Sequence, residues 1–201
     1  MAAAGRTIVI LGTARGVGKT LLARGILERV RSLGHRSIGI VPIETGCTYG
    51  ENHDLIGRDG MALRASSSGP VPPLVTTPYR FAAEGTPAQV AAMTGLELTL
   101  ADLAAAIEAA SEFGTIVVVE GPHTAMTPLV EGKLTIDLAA HLKAPVIVVG
   151  PDPQAVVEEC ADRGIAIACA LGSGFSSLDA VKALLESQRI VERIIEAMRP
   201  A

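Results

Sequence analysis

Residues Gly12-Thr13-Ala14-Arg15-Gly16-Val17-Gly18-Lys19-Thr20 put a lysine and a hydroxyl at the end of a glycine-rich stretch. The spacing is close to G-x-x-x-x-G-K-[ST]. The strict pattern wants glycine at position 13, which is Thr13; Gly12 lies one place earlier, so the loop is one residue longer on its first side. The chemistry that such a run can do is phosphate binding. Backbone N–H groups across Gly16, Val17, Gly18, Lys19, Thr20 and Leu21 can wrap an anion, and the positive end of a following helix strengthens that field. Lys19 can reach the β- and γ-phosphates of a nucleotide, and the Thr20 hydroxyl can hold Mg²⁺. A plain glycine turn without a ligand is the bland alternative. The order strand, Gly-Lys-Thr, helix argues against it.

A second candidate is Glu120, which closes the apolar run 115–119 and precedes Gly121. An apolar strand ending in an acid beside a phosphate loop can bind Mg²⁺ or a metal-bound water. Its alternative is an exposed carboxylate at a strand end. His123 and His53 read as solvated loop histidines, and nothing marks Cys47 as an activated thiol.

These groups need elements to hold them. Residues 7–11 are a continuous apolar run, which suits the buried centre of a parallel sheet. Residues 21–33 carry Leu21, Leu22, Ile26, Leu27, Val30 and Leu33 at helical spacing, with Gly34 placed for a left-handed cap. A strand at 37–41 is stopped by Pro42, and 43–50 reads as a polar loop at its carboxyl end, where open α/β sheets bind ligands. A short helix broken by Gly57 and Gly60 follows, then a loop at 66–78. Thr86-Pro87-Ala88-Gln89 starts a helix, and Thr99 caps another over 100–112. Beyond the 115–121 strand, helices at 134–142, 153–163 and 177–198 alternate with strands at 145–150 and 165–171. This alternation predicts an α/β fold, three layers around a mostly parallel central sheet of the P-loop NTPase type. The 201 residues are read as one nucleotide-binding domain.

Composition narrows the partners. Net charge is −4, aromatics are 2% and Trp is absent, so neither a basic field nor stacking platforms for nucleic acid are expected. No apolar run approaches the ~20 residues of a membrane helix, and the start shows no signal-peptide core. Three cysteines without a C-x-x-C pair suit reduced thiols, and a cytoplasmic protein is expected.

Taken together, several stretches resemble the dethiobiotin synthetases, P-loop ligases of biotin synthesis. The lengthened loop Gly12 to Thr20 is similar to that family's form. Pro42-x-x-Thr45-Gly46 resembles K-P-V-x-[ST]-G, Asn52-His53-Asp54 resembles N-x-D, and Tyr79-x-Phe81 with Thr86-Pro87 resembles Y-x-F…[ST]-P. Val119-Glu120-Gly121 resembles the start of V-E-G-A-G-G, and Asp137-Leu138-Ala139 with 145–149 resembles the family's next strand region. The resemblance spans residues 7–150. It implies ATP and Mg²⁺ as cofactors, a small-molecule amine as substrate, and a homodimer. It also implies Lys19 and Thr45 as catalytic groups and Thr20, Asp54 and Glu120 as the metal site; Arg15, where the family has a different residue, is read as a further catalytic cation inside the loop. Asp54 otherwise reads as a helix cap, Thr45 as a turn residue, and Arg15 as a solvated side chain.

The departures fall inside the loop and on the substrate side, while the Gly18-Lys19-Thr20 end of the loop is kept. The family's Asp-Thr inside the loop is Ala14-Arg15, its Lys before the Pro is Val41, and its A-G-G is Pro122-His123-Thr124. The implied reaction forms a carbamate from a diamine and CO₂, activates it with the γ-phosphate, and closes a cyclic urea. Two other readings stand beside it: a homologue that binds nucleotide without carboxylation, and an ATPase switch similar to ParA and MinD. The switch group carries a second lysine early in its loop, where this chain has Ala14.

Overall fold

The computed structural model describes residues 6–198. Residues 1–5, on which the reading of the chain start rests, and 199–201 lie outside the described residues. In chain order, β1 (Thr7–Gly12) leads into α1 (Lys19–Ser32), and β2 (Ser37–Ile40) is followed by β3 (Ile43–Thr45), β4 (Thr48–Tyr49) and β5 (Leu55–Ile56). Then come α2 (Arg58–Ser66), α3 (Pro73–Thr76), β6 (Tyr79–Phe81), α4 (Pro87–Thr94) and α5 (Leu100–Ala110). β7 (Ile116–Glu120), the small strands β8 (Pro128–Val130) and β9 (Lys133–Leu134), and α6 (Thr135–Leu142) follow. The chain finishes with β10 (Val146–Val149), α7 (Gln154–Asp162), β11 (Ile167–Leu171), α8 (Leu178–Ser187) and α9 (Ile190–Ala197).

The central sheet has five parallel strands in the order β11-β10-β1-β7-β2. Strand alternation explains the layers. Ile8 and Ile10 face a cluster with Leu22, Ile26, Val30, Val181, Leu185 and Val191, from α1, α8 and α9. Val9 and Leu11 face the opposite cluster with Val90, Leu103, Ile107, Leu138 and Val156, from α4, α5, α6 and α7. Both faces are covered, so β1 is buried along its whole length. This is the three-layer α/β arrangement expected from the alternating pattern.

Caps fall where the side chains predict. Thr86 with Gln89 and Thr99 with Asp102 form capping boxes at α4 and α5. Gly34 has φ 84° after α1.

The expected long last helix is instead two helices. Arg189 takes φ 49° between them, which turns the chain so that Ile190, Val191, Ile194 and Ile195 bury in the same cluster as Val181 and Leu185. Arg29 of α1 fastens the turn, with Glu186 of α8 at 3.2 Å and Glu192 of α9 also paired to it. The segment read as a polar loop holds β3, paired in parallel with β6, and β4, which forms a hairpin with β5 beyond it. Gly57 and Gly60 do not break α2; Gly57 is its N-cap and Gly60 lies in its first turn. The serines after α2 serve the outer edge of β2: Ser67 Oγ accepts from Gly39 N–H and Ser68 Oγ from Ser37 N–H, each at 3.0 Å. The β8–β9 pair has no counterpart in the sequence reading, because three-residue and two-residue strands carry no usable period. Among the described residues no helix is long and apolar enough to cross a membrane.

Candidate active site

The register of the sheet brings the candidate groups together. Ile10 of β1 pairs with Glu120 of β7, and Gly12 pairs with Val149 of β10. The glycine-rich loop therefore leaves β1 between the carboxyl ends of its two neighbours. Gly16 and Gly18 take φ 71° and 96°, the left-handed region that glycine enters without a Cβ penalty. α1 begins at Lys19 with no side-chain cap and no acid in its first turn. Its leading N–H groups are thus left for a ligand, and the helix dipole favours an anion there.

Lys19 lies back over the loop. A Cβ at Gly12 would sit 3.0 Å from Lys19 Cδ and 3.2 Å from Nζ, so glycine there makes room for the lysine stem. The ammonium donates to the His123 carbonyl at 2.5 Å. Burial lowers the Lys19 pKa; Glu120 and Asp59 act against that, and Arg15 adds to it.

The acidic half of the site is Thr20, Asp59 and Glu120. Thr20 Oγ1 lies 2.8 Å from Glu120 Oε1 and 3.0 Å from Asp59 Oδ1. One hydroxyl proton serves one carboxylate at a time. Glu120 is 4% exposed, and its Oε2 is buried with no hydrogen-bond partner. Burial is the main cause that pushes its carboxyl up to about 8; neighbouring Asp59 adds to the shift while Lys19 and Thr20 oppose it. An orphaned carboxylate oxygen beside a second acid and a hydroxyl is a set of hard oxygen donors, which fits a small divalent cation sharing phosphate oxygens and water. Among the described residues no group of three or more His, Cys, Asp or Glu could hold a metal ion. The donor set here has two carboxylates, with Thr20 as the third group.

Asp54 is a correction. It is exposed in the β4–β5 turn, where Gly50 N–H donates to its carbonyl at 2.8 Å and its own carboxylate packs over Gly50. The hairpin takes up residues 52–54, so the acid that reaches Thr20 is Asp59, in the first turn of α2. A sequence signal existed: Asp59 opens a helix after Gly57, a position where a carboxylate is favoured and its direction fixed.

Arg15, Thr45 and His123 line one cavity of about 420 Å³ with Lys19, Val41 and Glu120. Thr45 Oγ1 donates to Gly85 O at 3.0 Å and lies 3.3 Å from His123 Nε2. With its proton committed to Gly85, Thr45 accepts from the imidazole, which places the ring proton on Nε2. Burial first, then Arg15 and Lys19, hold the His123 pKa below the usual histidine value, so the ring is neutral. His123 also has φ 53°, an uncommon backbone state for a non-glycine residue. Sequence reading did not select it; the contact of its carbonyl with Lys19 needs the fold. Cys47 is buried, and its thiol pKa is raised chiefly by burial, the opposite of activation. None of the described cysteines is in a disulfide.

Residues 6–161 match the family model described as an AAA domain. An ATP-dependent dethiobiotin synthetase BioD of Anaeromyxobacter dehalogenans (strain 2CP-C) is 36% identical over 72% of this chain and 62% of its own length. That of strain 2CP-1 / ATCC BAA-258 is 33% identical over 81% and 74%, and that of Xanthomonas axonopodis pv. citri (strain 306) is 32% identical over 70% and 62%. The chain belongs to the dethiobiotin synthetase family. It spans a little under two thirds of the length of two of these relatives. Val41 is 3% exposed and borders both the α1-side core and the cavity.

Proposed function

We propose that the chain is a dethiobiotin-synthetase-like, ATP- and Mg²⁺-dependent ligase that forms a cyclic urea from a small diamine and CO₂. The observation that carries this is Glu120 Oε2, buried without a partner beside Thr20, Asp59 and Lys19 at the end of a phosphate loop. Thr20, Asp59 and Glu120 would hold the cation. When bound, Mg²⁺ supplies neutralisation of the phosphate oxygens. The uncapped first turn of α1 binds phosphate through its N–H groups, and Lys19 balances charge on the moving phosphoryl group. Arg15 adds a cation to the same cavity, and Thr45, which also lines it, orients the substrate. Val41 and Ile43 supply an apolar surface that limits water.

The family relation speaks for a ligase over an ATPase switch. A second reading keeps nucleotide binding and loses carboxylation. Val41 favours it, because an apolar side chain stands where the family places a lysine. Phosphate release with and without 7,8-diaminononanoate and bicarbonate separates the two. Substrate-dependent release supports the ligase; nucleotide binding without it supports the second reading. The resemblance also supports one nucleotide-binding domain and a cytoplasmic homodimer, which sedimentation tests for the dimer.

A further inference from the structure

α2 carries the acid that meets Thr20, yet it has no local cap. Its N-cap residue is Gly57, which has no side chain to give. The first-turn amides of Asp59 and Gly60 donate instead to Glu44 of β3, at 2.8 Å to Oε1 and 3.0 Å to Oε2. Each carboxylate oxygen takes one amide, so Glu44 does from a distant strand what Ser, Thr or Asp does at a local N-cap. Room for it is cut into the helix start. A Cβ at Gly57 would lie 2.0 Å from Glu44 Oε2; one at Gly60 would lie 3.2 Å from the same oxygen and 1.7 Å from Thr77 Oγ1. An ordinary capping residue at 57 would therefore expel Glu44.

A local cap would stabilise α2 equally well. A remote cap fixes something more: where the first turn of α2 stands relative to β3. That turn holds Asp59, and the next residue of β3 is Thr45, on the cavity wall. We infer that Glu44 is a positioning residue, holding Asp59 in place for cation binding by gripping the Asp59 and Gly60 amides. The inference rests on the reading of Thr20, Asp59 and Glu120 as a cation site. Glu44 lines the same cavity, and each of its oxygens accepts one of the two amides, which fixes the direction of the carboxylate. It also ties the wall that carries Thr45 to the cation site through one carboxylate.

The test measures ATP binding by calorimetry as a function of Mg²⁺ in the parent chain, Glu44→Ala, Asp59→Asn and the double variant. Partners that orient a metal ligand commonly change metal affinity ~10- to 100-fold, so Glu44→Ala should raise the Mg²⁺ requirement by a factor in that range. In the Asp59→Asn background the same change should add nothing. Hydrogen exchange of the Asp59 and Gly60 amides should speed up in Glu44→Ala without any metal present. If Glu44→Ala does not fold, Glu44→Gln, which keeps one acceptor oxygen, is measured in its place, with a smaller rise expected. An unchanged Mg²⁺ requirement with Asp59 still sensitive overturns the inference and leaves the proposed function standing. Additive effects in the double variant overturn it too, by showing that Glu44 acts independently of Asp59. Absence of any Mg²⁺ effect in the parent chain overturns both.

Discussion

The Thr20 hydroxyl lies 2.8 Å from Glu120 Oε1, so the first turn of α1 and the end of β7 meet at one polar point inside an otherwise apolar sheet. A buried acid in such a place is costly unless something pairs with it. Lys19 is near, but its ammonium donates to the His123 carbonyl. The remaining oxygen of Glu120 has no protein partner.

A cation at this point makes Asp59 and Glu120 sensitive to neutral replacement. Asp59→Asn and Glu120→Gln should each raise the Mg²⁺ needed for tight ATP binding by ~10-fold or more. Asp54→Asn, on the exposed hairpin turn, should leave it unchanged. Calorimetric ATP titration at a series of Mg²⁺ concentrations checks all three. Equal behaviour of Asp59→Asn and Asp54→Asn would remove Asp59 from the site.

Lys19→Ala removes a charged donor from the phosphate loop. A charge-assisted hydrogen bond contributes roughly 1.5–3 kcal/mol, so ATP affinity should fall ~10- to 100-fold. Lys19 is also nearly buried over Gly12, so its removal leaves space rather than strain. The thermal midpoint without nucleotide should change little. Unaltered ATP affinity in a folded variant would mean that the loop does not hold phosphate.

Glu120 gives the ligand-free protein a pH signature. Its carboxyl is raised from 4.5 to about 8, chiefly by burial. Between those values the folded chain holds a proton that the unfolded chain releases, so stability falls as pH rises through the window. Glu44, also raised chiefly by burial, adds a slope of the same sign. Glu120→Gln should therefore flatten the fall without removing it. Cation binding uses the ionised form, so Mg²⁺-dependent ATP affinity should rise with pH over the same window. Denaturant unfolding in metal-free buffer reads the first slope and calorimetry the second. His123 and Lys19, both lowered chiefly by burial, contribute slopes of the opposite sign, so a Glu120→Gln variant with the parent's pH slope would contradict this assignment.

The phosphate loop and the strand-end acid were legible because both are local. Gly18-Lys19-Thr20 and the run ending in Glu120 announce their roles within a few residues of chain. Asp59 carries a local signal at its helix start, but choosing it over Asp54 requires knowing that residues 48–56 close a hairpin, and two-residue strands leave no period to read. Glu44 was invisible for the same reason at longer range: its amide partners lie 15 and 16 residues away. The last helix misled because apolar spacing continues across Arg189 and only the backbone turn divides it.

Val41 is where the proposed ligase reading can be tested most sharply. It is 3% exposed, its N–H donates to Thr76 O at 2.8 Å, and its side chain packs in the α1-side cluster while facing the cavity. A lysine there would lay its stem along apolar neighbours and carry its head to the cavity wall that holds Glu44, Asp59 and Glu120. The present valine gives no charge to a carbamate or a transferring phosphoryl group. Losing one preorganised contact of that kind typically costs ~10²–10³ in rate. The parent chain should therefore bind ATP normally and form dethiobiotin weakly. Val41→Lys should raise diamine-dependent phosphate release while leaving ATP affinity within a few-fold. Family-like turnover in the parent chain would show that another cation already fills the role; Arg15 and Arg58 line the same cavity, and their alanine variants would then identify which. Loss of folding in Val41→Lys, read by circular dichroism, would show that position 41 belongs to the core rather than to the site. In that case the apolar wall is a fixed feature of this chain, and the family's site geometry does not extend to position 41.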